Sequence, residues 1–181
     1  LRSVLFPGGK LNSKTVGTRP VVLAAMAGFS VPEDTRLLVV KVEGVGKKDP
    51  LAREKLCPVL SAYSYQTWEQ AVDMALANLE CEGKGHSVVV HSHSDRHIEY
   101  AAERLPVSRV GVNMIGSSGL GGTFNNGLNP TGTLGCGSWG NNSLSENLWF
   151  THLMNVSRIA YPIPDRHIPT DDEIWGEDDQ P

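Results

Sequence analysis

Apolar residues change their spacing several times along the chain, and each change of period marks an element. Trp68, Ala71, Val72, Ala75, Leu76 and Leu79 recur at three- and four-residue intervals, the period of a helix with one buried face. Thr67-x-x-Gln70 ahead of them is a capping box. A second helix starts at Ser94, with Ile98, Ala101, Ala102 and Leu105 on its buried side and Pro106 as its end. Four β-branched runs are too short and too continuous for helices and read as strands: Arg36–Val42, Pro58–Tyr63, Ser87–His91 and Arg109–Met114. The first lacks alternation, as a strand buried on both faces would. Thr18 can cap a short helix with Pro20 in its first turn, Val21, Val22, Ala25 and Met26 on one face, and Gly28 as its stop. Ser143-x-x-Glu146 opens a further helix carrying Leu148, Trp149, Leu153 and Met154. Val156–Tyr161 is a last strand, followed by Pro162, Pro164 and a tail expected to be mobile from Thr170 onward.

Strands alternating with helices imply right-handed crossovers and an α/β fold, a largely parallel sheet flanked by helices. The texture changes after Asn113. Residues 111–140 hold ten of the 19 glycines, interleaved with Ile115, Leu120, Phe124, Leu128, Leu134 and Trp139. Flexibility alone would not call for those apolar residues. The mixture predicts a long loop that packs while its backbone closely approaches something else, a ligand-lining role.

Composition narrows the function classes. With 16 Lys+Arg against 20 Asp+Glu the net charge is −4, and Asp171, Asp172, Glu173, Glu177, Asp178 and Asp179 all fall in the last twelve residues. No basic face or aromatic–basic interleaving suggests nucleic acid as a partner. No apolar run approaches the ~18 residues that span a bilayer, so no membrane is expected. Three scattered cysteines (Cys57, Cys81, Cys136) make no disulfide framework and favour a reducing, cytoplasmic setting.

The candidate chemistry is thin when read residue by residue. Gly119-x-Gly121-Gly122 is not a dinucleotide fingerprint, because no Gly-x-Gly-x-x-Gly opens a helix after a strand. His91, His93 and His97 have the look of a metal cluster but lack Cys or carboxylate partners at ligand spacing, so no metal site is expected. Cys136, in Leu-Gly-Cys-Gly-Ser-Trp-Gly, has no base near it in sequence. His86 sits where a loop enters a strand, and Glu54 is a lone carboxylate ahead of another.

Taken together and in order, several segments resemble one family. Glu54-Lys-Leu-Cys-Pro-Val-Leu60, Gly85-His-Ser-Val-Val-Val-His-Ser92, Val112-Asn113 with the glycine-rich loop, and Thr133-Leu-Gly-Cys-Gly-Ser-Trp-Gly-Asn-Asn-Ser-Leu-Ser-Glu-Asn147 are similar to the CoA-acylating aldehyde dehydrogenases over roughly residues 10–162. The resemblance implies an aldehyde-dehydrogenase catalytic-domain fold, here incomplete, and NAD-dependent oxidation of a short aldehyde through a cysteine thioester that coenzyme A resolves. It assigns Glu54 to the nicotinamide ribose of NAD, where a carboxylate suits the ribose hydroxyls. It assigns His86 to acid–base work on the CoA thiol, a task for the side chain whose ordinary titration lies nearest neutrality. Ile115, Gly116, Leu120, Gly121, Thr133, Leu134 and Cys136 become the expected substrate pocket.

One departure stands out. The family's nucleophilic Cys lies farther upstream of the Glu-x-x-x-Pro-Val pattern than the residues preceding Glu54 allow, and none of the three cysteines matches it. The cofactor domain that precedes that Cys is also missing. The expectation is therefore a partial catalytic domain over residues 1–162, inactive alone, with an acidic, proline-containing tail over 163–181. The strand at about 156–161 would serve self-association into a homo-oligomer, and the expected setting is cytoplasmic, with nothing in the chain reporting placement inside a bacterial microcompartment. Two other readings stay open: a non-catalytic α/β module binding a nucleotide or partner through the glycine-rich loop, and a hydrolytic aldehyde dehydrogenase.

Overall fold

The structure is a computed structural model that describes residues 1–176, so Glu177, Asp178 and Asp179 of the tail expected to be mobile lie outside the described residues. The helices are α1 (Arg2–Leu5), α2 (Pro20–Met26), α3 (Trp68–Cys81), α4 (Asp95–Arg104), α5 (Gly116–Gly119) and α6 (Asp171–Trp175). The strands are β1 (Leu38–Lys41), β2 (Val59–Ala62), β3 (Gly85–Val90) and β4 (Val107–Val112). Residues Leu1–Trp149 form one unit and Phe150–Pro181 a second. Among the described residues no helix is long and apolar enough to cross a membrane.

The class is α/β with parallel strands, as the alternation of elements implies. The single sheet expected is instead two parallel pairs, β1 with β2 and β3 with β4. β1 aligns Leu38 with Val59 and Lys41 with Ala62; β3 aligns Gly85 with Val107 and Val90 with Val112. Each pair has its own core. Leu5, Phe6, Leu23, Leu38, Val42, Leu51 and Val59 pack under the first, and Val72, Val90, Ala101, Leu105 and Val107 between α3, α4 and the second. β1 is not covered on both faces: Val39 is 64% exposed and so is its cross-strand partner Leu60 at 56%.

α3 and α4 form where the apolar period places them. Thr67 Oγ1 accepts from Gln70 N at 3.2 Å, although Gln70 returns its side chain to Gln66 N at 2.7 Å and not to Thr67. Ser94 caps α4 through His97 N. α2 differs in detail. Its N-cap is Arg19, because the Thr18 hydroxyl donates to Lys14 O at 3.0 Å, and it buries Pro20, Leu23 and Ala24, leaving Val22, Ala25 and Met26 outward.

Two expected elements do not form. The segment after Ser143 is not a helix, because its backbone bonds a distant loop: Gly135 N donates to Glu146 O at 3.0 Å, Gly137 N to Leu144 O at 2.8 Å and Leu148 N to Thr133 O at 3.1 Å. Leu134 and Asn147 form an isolated antiparallel bridge. Val156–Tyr161 is not a strand either, since it has no ladder partner among the described residues; Val156, Ile159 and Tyr161 are 61%, 82% and 81% exposed. Within the second unit, α6 is capped by a box between Thr170 and Glu173. His167 adds a 3.0 Å contact to Glu173, and the Thr170 N–H and that imidazole hold the Glu173 carboxyl below its ordinary range.

Candidate functional site

β3 starts on a residue that only glycine can provide. Gly85 has φ +83°, and a Cβ there would run into the carbonyl oxygen of Cys136 and lie 2.8 Å from its Cβ. The tight turn Gly137–Gly140 and the residue before it therefore sit directly against the start of β3. The Gly85 N–H donates to Pro106 O at 2.7 Å, which ties the same point to the start of β4.

His86 follows. Its ring is exposed, its Nδ1 lies 2.6 Å from Ser87 Oγ, and its peptide is held on both sides, by N–H donation to Gly83 O at 3.3 Å and by Arg109 Nη2 donating to its carbonyl at 2.9 Å. Val89 touches the glycine-rich loop at Gly116, while Val88 and Val90 pack toward α3 and α4. Strand alternation then places Ser87 with Val89 and His86 with Val88. The ring of His86 thus leaves the face that Cys136 approaches, and the two do not make a thiol–imidazole pair.

Glu54 reaches the same end of the fold by another route. Its segment precedes β2, and its N–H donates to Glu82 Oε2 at 2.8 Å, while Arg53 Nη2 stands 3.5 Å from Glu82 Oε1. Glu82 is the residue after α3 and four before His86, so one carboxylate ties the Glu54 segment to the connection leading into His86. The Glu54 carboxylate is exposed, and no hydrogen bond engages it among the described residues. Leu56, two residues on, adopts φ +50°, with its carbonyl accepting from Gly17 N at 2.8 Å. Burial lowers the Lys55 ammonium from its ordinary pKa and raises the Cys57 thiol, so Cys57 has less thiolate character than a free cysteine.

The glycine-rich stretch is a chain of short turns laid along one face of β3 and β4. Asn113, at φ +51°, accepts from Ser92 N at 3.0 Å through Oδ1 and donates to Ser92 O at 2.7 Å through Nδ2. Gly116 then lies against Val89, and Leu120, only 4% exposed, lies against Gly111. Gly121 meets Thr131 O, and buried Asn147 donates to Leu120 O at 3.1 Å and Asn129 O at 2.8 Å. Ile115 is 72% exposed and edges a shallow recess of about 280 Å³ with Asn113, Met114 and Thr123.

The expected site residues therefore fall in two places. His86 and Cys136 lie where β3 begins, the His86 ring turned from the face that Cys136 approaches, and Glu82 ties the Glu54 segment to the connection leading there; Leu134 and Thr133 lie near Cys136 in the chain. Ile115 and Gly116 stand at the far end of the pair, with Leu120 and Gly121 following on the loop. Cys136 is held inside its own turn, its N–H donating to Asn142 Oδ1 at 3.2 Å and its Sγ facing Leu134 O at 3.8 Å. The three histidines do not converge: His97 stacks on Trp68 with ring centroids 4.9 Å apart, and Trp68 Nε1 donates to His97 O. Among the described residues no group of three or more His, Cys, Asp or Glu could hold a metal ion. Residue-by-residue reading missed Arg109, Glu82 and the role of Gly85. An arginine inside the apolar run Val107-Ser-Arg-Val-Gly-Val112 was the available signal, since a charge there needs a partner.

No protein-family model matches the chain. It is 52% identical to the succinate-semialdehyde dehydrogenase (acetylating) of Clostridium kluyveri over 97% of its own length and 38% of that protein's. It is 37% identical to the bifunctional aldehyde-alcohol dehydrogenase of Escherichia coli (strain K12) over 88% of the chain and 18% of the relative. The crystal structure of an acetylating aldehyde dehydrogenase from Geobacillus thermoglucosidasius superimposes with a TM-score of 0.81 at 39% identity, over 93% of this chain and 37% of that one. The chain thus spans well under half of the proteins it matches.

Proposed function

The chain belongs to the acylating aldehyde dehydrogenases, and from that premise we propose that it supplies part of the catalytic domain of an NAD-dependent enzyme converting a short aldehyde and coenzyme A to the acyl-CoA. In that reaction a cysteine thiolate adds to the aldehyde carbon, hydride leaves that carbon, and the resulting thioester passes its acyl group to the CoA sulfur, releasing the thiolate. NAD supplies the hydride acceptor.

The residues of this chain have three tasks in it. Glu54 presents a carboxylate with no hydrogen bond of its own among the described residues, the acceptor set that a pair of ribose hydroxyls calls for. His86, with Nδ1 engaged by Ser87, keeps Nε2 to take the proton of the incoming CoA thiol. The loop from Ile115 to Gly121, with Thr133, Leu134 and Cys136, shapes the pocket. The observation that supports this reading is that the Glu82 carboxylate ties the Glu54 segment to the connection leading into His86.

The nucleophile is taken to come from outside this chain, because none of Cys57, Cys81 and Cys136 matches its place in the resemblance; the burial that raises the Cys57 thiol supports this for Cys57. The 181-residue chain alone turns over no aldehyde. Val156–Tyr161, whose exposed Val156, Ile159 and Tyr161 have no strand partner among the described residues, serves self-association into a homo-oligomer, and the setting is cytoplasmic. Light scattering after size-exclusion reads the association directly, and a monomer would remove that part.

The decisive test follows NADH formed by the full-length enzyme with short aldehydes, with and without coenzyme A, beside the 181-residue chain. CoA-dependent NADH from the enzyme and none from the chain is expected. CoA-independent NADH would replace the reading with a hydrolytic dehydrogenase, silence from the full enzyme would favour a binding module, and turnover by the chain alone would refute its dependence on an outside nucleophile.

A further inference from the structure

Arg109 is 5% exposed, and among the described residues its Nε and Nη1 have no hydrogen-bond partner. Its one hydrogen bond runs from Nη2 to the carbonyl of His86 at 2.9 Å. A desolvated guanidinium with a single acceptor makes that bond charge-assisted and in a medium of low dielectric, where such bonds are strongest.

The direction of the bond matters as much as its strength. The Gly85 N–H points to β4, where it meets Pro106 O. The positive φ at Gly85 interrupts the alternation of peptide groups; from the Asn113 N–H bond to Val90 O, alternation back along the strand turns the His86 carbonyl toward β4, the strand that carries Arg109. Arg109, aligned with Ser87 on β4, therefore adds a charged side-chain donor to the His86 carbonyl at the shared edge of the two strands. His86 is thereby fixed from three sides: Gly85 is wedged on Cys136, its N–H bonds Gly83 O, and its carbonyl bonds Arg109. The ring keeps only its own torsions, and the Ser87 hydroxyl restrains those.

We propose that Arg109 is a positioning residue for His86, bracing its peptide from β4 so that the imidazole is presented for proton transfer. The inference rests on the role proposed above for His86. A displacement of about 1 Å at such a group can lower a rate by up to about a hundredfold.

The test is a double-mutant cycle in the full-length enzyme, read as the single-turnover rate of acyl transfer to coenzyme A across pH, with His86→Ala, Arg109→Met and both together. Arg109→Met is expected to slow transfer between tenfold and a hundredfold, roughly, and to flatten its pH dependence, while leaving the KM for NAD unchanged. The double variant should be no slower than His86→Ala alone. Arg109→Lys, which can still donate to the carbonyl, should recover most of the rate and carries the cycle if Arg109→Met does not fold. Fully additive losses would overturn the inference while leaving the function of His86 intact. A normal acyl-transfer rate in His86→Ala would overturn both.

Discussion

The two strand pairs solve the same problem by different means. The β1/β2 pair is held by side chains: a cluster of aliphatic residues, and Asp49 accepting from Arg2 Nη2 at 2.6 Å and Nε at 2.9 Å and from Leu51 N at 2.9 Å. The β3/β4 pair has an aliphatic cluster on its helix side only. Its other face is closed by the backbone of Cys136 pressed on Gly85 and by the side chains of Met114 and Leu120 against Gly111, under a loop whose own backbone is pressed together at Gly135 on Leu144. Side-chain cores tolerate adjustment because rotamers can move, whereas a peptide pressed on a peptide cannot give way. Of the candidate residues, His86 and the glycine-rich loop belong to the second pair, while Glu54 leads into the first.

If that contrast is correct, the largest single effect belongs to Gly85→Ala. The added methyl meets the Cys136 carbonyl at a positive φ, and overpacking with backbone strain should cost about 4 kcal/mol, read from denaturant melts. Hydrogen exchange should show the loss centred on β3 and residues 135–140; uniform loss across both pairs would erase the contrast. Leu23→Ala, at a fully buried position of the first core, should cost about 3 kcal/mol by leaving a cavity, with the change in exchange centred on β1 and β2.

Asp49→Asn sharpens the comparison by its pH dependence. Arg2, chiefly by hydrogen bonding, holds the Asp49 carboxyl below its ordinary pKa against the opposing effect of burial. The folded state therefore gains from the charged form above about pH 4 and loses that gain as pH falls through the lower native value. Because Arg2 is half exposed, the variant should cost only about 1–2 kcal/mol near neutrality. The gap to the parent chain in urea melts should close below about pH 4. Thr67→Ala removes one cap of α3 and should lower the melt by about 1 kcal/mol.

Legibility in the sequence followed the range of the interactions. α3, α4 and the four strands were readable because apolar period, caps and β-branched runs act within a few residues. The segment after Ser143 carried the same local signature as α3, yet its carbonyls are accepting from Gly135 and Gly137. A signature within four residues has no information about an acceptor's use ten residues away. His86 and Glu54 took their roles through ordered resemblance alone, whereas Arg109 left only a local hint, a charge inside an apolar run whose partner the sequence does not name.

Asn113 has a consequence for how this fold can vary. With both amide atoms bonded to the Ser92 backbone, its side chain adds one more rung beyond the last pair of β3 and β4. The segment that follows leaves from a fixed post and is fixed again where Asn147 bonds Leu120 and Asn129. Between those posts the tip around Phe124 is fully exposed. Doubling the length of a loop tethered this way costs only about 0.6 kcal/mol in closure entropy. Insertions there would change what overhangs the recess at Ile115 while leaving the placement of His86, at the other end of β3, untouched.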